Sequence, residues 1–155
     1  MRTILLAAAC CTAALASPAR GGTASGTIGV SLEILPACRV ATAPLAFSTT
    51  QGTAAEAQTP VEVACTTDSE VSVALDAGRH AAGSQPRLAG ADGTHVAYAV
   101  YSDPGRTREW TGQSIVAEVT AVQPLQLVAY GEVAAGSAVV PAGEYRDTLT
   151  VTVTF

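Results

Sequence analysis

His80 and His95 are the only imidazoles in the chain. With Asp76 and Ser84 close in sequence, His80 could supply the base of a nucleophilic hydrolase, provided that the three groups converge. They sit in or beside the segment 77–94, which is rich in Gly, Ala, Ser and Asp and reads as a long loop, which holds such geometry poorly. There is no G-x-S-x-G elbow, no H-E-x-x-H and no phosphate-binding glycine loop. The glycine-rich run 21–26 leads into a strand pattern instead of a helix, so it reads as linker. Catalysis, a cofactor and a metal centre are not expected.

The cysteines support a different chemistry. Met1-Arg2-Thr3 is a short positive start, 4–16 is largely apolar, and Ala14-Leu15-Ala16 places small residues before Ser17. That pattern is a secretory leader over 1–16, too short to span a bilayer. Cys10 and Cys11 lie inside it, but their context does not favour lipidation. Cys38 and Cys65 remain, and an even pair in an oxidising compartment reads as one disulfide. Closing a loop of that length is worth about 3.5 kcal/mol in the chain-entropy model.

Strands must position everything else. The chain is 48% hydrophobic, only 14% charged, and carries a net charge of −5 with no Lys. Such a chain is a poor binder of phosphate backbones, so nucleic acid is not an expected partner. No stretch after the leader is apolar for long enough to form a membrane helix. After a flexible arm over 17–25, Ile28, Val30, Leu32 and Ile34 alternate with small or polar residues, and Pro36 follows. Further strands are predicted over 45–48, 61–65, 71–75, 95–102, 114–121, 125–132 and 145–155. A turn of helix is possible over 54–58, and 134–143 reads as a loop. Short strands separated by Gly/Pro turns indicate an all-β sandwich.

The two end strands are the unusual part. Leu149, Val151, Val153 and Phe155 alternate with Thr148, Thr150, Thr152 and Thr154. Burying Ile28, Val30, Leu32 and Ile34 would contribute about 1.5–3 kcal/mol each. Spacing alone leaves open whether that burial is within one chain or against a neighbouring copy.

Val96, Tyr98, Val100, Tyr101 and Asp103, followed by Arg106 and Trp110, resemble the hallmark of the spore coat protein U domain family. Tyr130-Gly131-Glu132-Val133 and the run from Val140 to Phe155 resemble the family's ending, and Cys38 and Cys65 match in position. Gly112 stands one position later than the family's usual glycine, and Phe155 replaces a usual Tyr. The resemblance covers about 26–155 and implies an incomplete immunoglobulin-like β-sandwich completed by a donated strand. It further implies a structural subunit of archaic (Csu-type) chaperone–usher pili, passed from a periplasmic chaperone to an outer-membrane usher. Such a subunit polymerises with other copies or related pilins at the cell surface, in a fibre for adhesion and biofilm formation. On that basis 17–33 is arm and donor strand, with Ile28, Val30 and Leu32 as donor side chains, and 34–155 is the domain. Leu149, Val151, Val153 and Phe155 would form the acceptor groove and the chaperone-pairing edge. The alternatives are a spore-coat or matrix protein of the same fold, and a self-complemented periplasmic binding module.

Asp103, Arg106 and Trp110 admit a partner-binding surface or a structural loop anchor. The anchor, with Arg106 paired to Asp103 and Trp110 packed on the sandwich, is the favoured reading. Tyr98, Tyr101 and Tyr130 read as packing residues.

Overall fold

β-Branched residues at every second position pack well on a pleated sheet, and this chain has them in almost every apolar run. The computed structural model describes residues 21–155. The leader expected over 1–16, its expected cut before Ser17 and the start of the expected arm lie outside the described residues. Among those residues there is no helix, hence none long and apolar enough to cross a membrane.

Ten strands follow in order: β1 (Cys38–Thr42), β2 (Ala55–Cys65), β3 (Ser69–Leu75), β4 (Arg87–Gly90), β5 (His95–Ala97), β6 (Ala99–Tyr101), β7 (Ser114–Val119), β8 (Leu125–Val133), β9 (Tyr145–Arg146) and β10 (Val151–Thr154). All pairings between them are antiparallel. One sheet has the order β1-β2-β8-β6, a second β10-β3-β7, and a small third β5-β4-β9. β5 runs on into β6, and β9 towards β10, so the small sheet continues both larger ones.

The core lies between the two larger sheets. β2 contributes Val61, Val63 and Cys65, β3 contributes Val71, Val73 and Leu75, and Val100, Val119 and Ala129 close over them. Trp110 is buried among them, and its indole N–H donates to the Val73 carbonyl at 3.2 Å. That bond answers the one polar atom of a large apolar side chain. Cys38 stands directly opposite Cys65 in the β1–β2 ladder and is bonded to it, with Cα atoms 4.1 Å apart.

Several expectations change. No strand forms over 28–34, where Ile28, Val30, Leu32 and Ile34 are exposed. An apolar alternation becomes a strand only where another backbone pairs with it, and none among the described residues does. The strand expected over 45–48 is likewise unpaired, and β1 starts earlier, at Cys38. The possible helical turn over 54–58 is instead the start of β2, paired with β8 from Ala55↔Val133 onward. Nine rungs of ladder outweigh the helix propensity of three alanines. The long loop over 77–94 contains β4, and the strand over 95–102 breaks at Tyr98. The last strand, 145–155, is interrupted at 147–150.

Replacing Trp110 by Ala removes the largest buried side chain, and should destabilise the domain by about 3–5 kcal/mol. Urea denaturation followed by circular dichroism is the check, since the variant lacks the only tryptophan; a loss below about 1 kcal/mol would contradict this packing.

Candidate functional site

An edge strand leaves backbone groups unpaired, and where the edges of two facing sheets stand apart the core between them can be reached from outside. Here β3 lies on one side of β10, and among the described residues no strand lies on the other. β1 is likewise an edge of its own sheet. Between these edges a cavity of about 240 Å³ opens and reaches the core side chains Val61, Leu75, Val100 and Ala129.

The segment after β1 makes one wall. The Thr59 hydroxyl holds the Ala43 carbonyl at 2.8 Å, after which residues 44–48 make no backbone hydrogen bonds within the described chain. Leu45 and Phe47 from this segment sit over Gly131 of β8. A Cβ on Gly131 would stand 2.6 Å from the Phe47 ring and 2.8 Å from Leu45, so only glycine leaves them room. Phe47 in turn meets the Tyr98 ring at 6.0 Å. The opposite wall is Leu149 and Val151, with Asp147 beyond them.

Asp147 is the polar end of the groove, and its side chain is 2% exposed. One oxygen accepts the Tyr98 hydroxyl at 2.8 Å. The other accepts the His80 amide at 3.1 Å and meets His80 Nδ1 at 3.0 Å. Gly78 makes this possible: it has φ +85°, and a Cβ there would collide with the Asp147 carboxylate. Burial, then the hydrogen bond to Asp147 and its charge, hold the Tyr98 phenol protonated far above the usual range. Alongside, Asp76 accepts the amides of Gly78 at 2.9 Å and Thr150 at 2.8 Å. Desolvation opposes its charge, but the Thr150 and Gly78 hydrogen bonds prevail and lower its pKa. His80 thus bonds to Asp147 and not to Asp76, and the sequence neighbours 76, 80 and 84 do not assemble as an acid–base–nucleophile set.

The other residues singled out in the sequence fall as follows. Val153 packs against the core beside Val151, whereas Phe155 is more than half exposed. Tyr98 is buried, and Tyr101 and Tyr130 face each other in the β6–β8 ladder. Asp103 is buried and accepts the amides of Arg108 at 2.7 Å and Thr107 at 3.1 Å. The Arg108 amide leads in lowering its pKa, against desolvation and with help from Thr107. Arg106 does not pair with Asp103. The Asp103 oxygens are filled by local donors, and Arg106, at φ +53°, reaches Glu56 at 2.9 Å. Sequence reasoning passed over Leu45, Phe47 and Asp147 as groove residues. Asp147 shares the odd-numbered parity of Leu149 and Val151, which was a usable signal; nothing local marked Phe47.

An antiparallel β-sandwich left open along one edge, with an apolar groove reaching its core, defines the class of fold. The chain belongs to the Spore Coat Protein U domain family, whose model matches residues 24–152. It is similar in structure to a chain of the CsuC–CsuE chaperone–tip adhesion subunit pre-assembly complex, from the archaic chaperone–usher Csu pili of Acinetobacter baumannii. The TM-score is 0.63 at 22% identity; the match covers 79% of this chain and spans 40% of the other. A chaperone–tip adhesin complex of CFA/I fimbriae matches more distantly, with a TM-score of 0.45 at 13% identity, over 74% of this chain and 41% of that one. No curated protein sequence matches the chain.

Two predictions test the polar end. Gly78→Ala forces both a strained backbone and a collision with Asp147, and should cost about 2 kcal/mol or more in chemical denaturation; a neutral result would remove Gly78 from this role. Because the folded pKa of Asp76 is lowered, its contribution is complete above its ordinary 3.8 and is lost as pH falls through the folded value. Asp76→Asn should therefore flatten the acid limb of a stability–pH curve, and an unchanged limb would show that the carboxylate is not what titrates there.

Proposed function

We propose that this protein is a pilus subunit that polymerises by donor-strand exchange through a chaperone–usher pathway. The observation that carries the reading is the open apolar groove along the free edge of β10, in a chain whose arm offers exposed Ile28, Val30 and Leu32. A strand laid along β10 would pair its unmet backbone groups and cover Leu149, Val151 and Val153 in one step. Family membership and the likeness to a subunit complex from Csu pili support the same reading.

Residues 17–33 then act as arm and donor strand, and 34–155 as the acceptor domain. A subunit with an open groove aggregates unless it is covered, so a periplasmic chaperone would fill the groove first. An outer-membrane usher would then exchange that strand for the arm of another subunit. The contact is head-to-tail and does not close on itself, so it propagates as a fibre. The leader over 1–16 would deliver the chain to the periplasm, and the fibre would serve adhesion and biofilm formation at the surface. Asp103, Arg106 and Trp110 act as a loop anchor in this reading, without a catalytic role anywhere in the chain. A coat or matrix protein of the same fold would share the groove but need not form long fibres.

The test is a gel of the sheared surface fraction in detergent, with and without boiling. The intact chain should give a ladder when unboiled that collapses to one band on boiling. A chain lacking 17–32 should give no ladder. Val30→Asp loses about 1.5–3 kcal/mol of burial and adds a charge to be desolvated, so its ladder should disappear. A single monomer band from the intact chain in every lane would remove the pilus reading, and a normal ladder from Val30→Asp would remove the donor assignment.

A further inference from the structure

We infer that His80 and His95 form a binding site for one divalent transition-metal ion, copper(II) before zinc, with Asp147 orienting the His80 ring. Both ligands come from one chain, so the inference stands apart from the donor-strand reading.

The two imidazoles stand 15 positions apart in the chain and meet only in the fold. His80 follows the turn at Gly78, and His95 opens β5. Their ring centres are 6.4 Å apart, with the ring planes inclined by 57°. Two imidazoles that each place a nitrogen about 2.0–2.1 Å from one ion have ring centres about 5–6.5 Å apart, according to the angle at the metal. The observed spacing lies at the wide end of that range. Both residues are exposed, so rotation of the His95 ring about its side-chain bonds closes the gap further.

His80 is anchored at three points. Its amide and its Nδ1 meet one oxygen of Asp147, at 3.1 and 3.0 Å, and its carbonyl accepts Arg87 Nε at 2.9 Å. Asp147 is buried and also accepts the Tyr98 hydroxyl. A carboxylate that accepts these bonds requires the proton on His80 Nδ1, which leaves the Nε2 lone pair for a metal. Metal-ligating histidines commonly donate their other ring nitrogen to a carboxylate, which fixes the tautomer and raises the basicity of the ligand. His95 stands opposite Ala89 in the β4–β5 ladder, so its backbone is fixed as well. Two imidazoles, with water completing the shell, suit copper(II), nickel and zinc, and the first-row order of affinities places copper(II) highest. Calcium and magnesium seek oxygen ligands and gain nothing from imidazole. Arg87 and Arg146 share the outer face of the small sheet with His95, which further disfavours ions held by charge alone. Glu144 pairs with Arg146, and Asp147 sets a negative charge beside His80.

The test titrates the intact chain with copper(II) chloride, zinc chloride and magnesium chloride by calorimetry, and counts the imidazoles bound to copper by electron paramagnetic resonance. One copper(II) ion per chain is expected, with two imidazole nitrogens in its spectrum, weaker binding of zinc and none of magnesium. His95→Ala changes an exposed residue, so the variant should fold. It should bind copper(II) at least about tenfold more weakly and show one imidazole instead of two. His80→Ala should do the same. Asp147→Asn should weaken binding by about 10–100-fold while both imidazoles remain in the spectrum, which separates an orienting group from a ligand. Where Asp147→Asn does not fold, the two histidine variants still decide the site. Copper(II) binding unchanged in His95→Ala, or a copper spectrum without two imidazoles in the intact chain, would overturn the site. Unchanged affinity in a folded Asp147→Asn would overturn the orienting role of the carboxylate.

Discussion

Sheet edges carry unpaired N–H and C=O groups, and a sandwich open at an edge also leaves its core side chains uncovered. Both conditions meet along β10, where the outer side has no strand among the described residues and the cavity beside it reaches Val61 and Val100. An ordinary domain would close this gap with one more strand of its own. Every other feature of the groove follows from that missing strand. Leu149, Val151 and Val153 are half-buried rather than sealed, and Leu45 and Phe47 lean in from a segment whose own backbone is unpaired. Surface of this kind is a liability in isolation and becomes a joint when a second chain supplies the strand.

The rest of the domain is built to hold that gap open without collapse. The Cys38–Cys65 bond ties β1 to β2 at the rung where they start to pair. Trp110 plugs the centre and is tied to β3 through Val73. Gly131 gives Phe47 its seat, and the Phe47–Tyr98–Asp147–His80 chain of contacts links the wall to the polar end. The breaks in two strands fall at members of that chain: Tyr98 separates β5 from β6, and Asp147 opens the gap between β9 and β10. A fully bonded buried carboxylate contributes little to stability compared with a well-packed apolar group. Here it joins the Tyr98 hydroxyl to the His80 amide at one end of the groove.

Much of this was legible in the chain. The valines of β2 and β3 and the alternation of β7 and β8 identify half-buried strands, because period two matches the pleat. Cys38 and Cys65, the two cysteines outside the expected leader, indicate their own pairing. Other elements were hidden for identifiable reasons. β1 is mostly exposed, so C-R-V-A-T shows no apolar row. Ala55–Gln58 belongs to β2 only because β8 lies beside it. β4 is four residues held between β5 and β9, with no periodicity to reveal it. Arg106 went to Glu56 instead of Asp103 because loop amides had already filled the nearer carboxylate.

The sequence by itself determined an all-β chain, the partners of its disulfide and the two apolar rows near its ends, since each depends on residue type and short-range spacing. Only the tertiary structure decided that one row lines an open edge while the other lies unpaired among the described residues. It also decided that Asp147 and His80, 67 positions apart, meet at the end of the groove. These depend on which strands become neighbours, and side-chain periodicity carries no information about that.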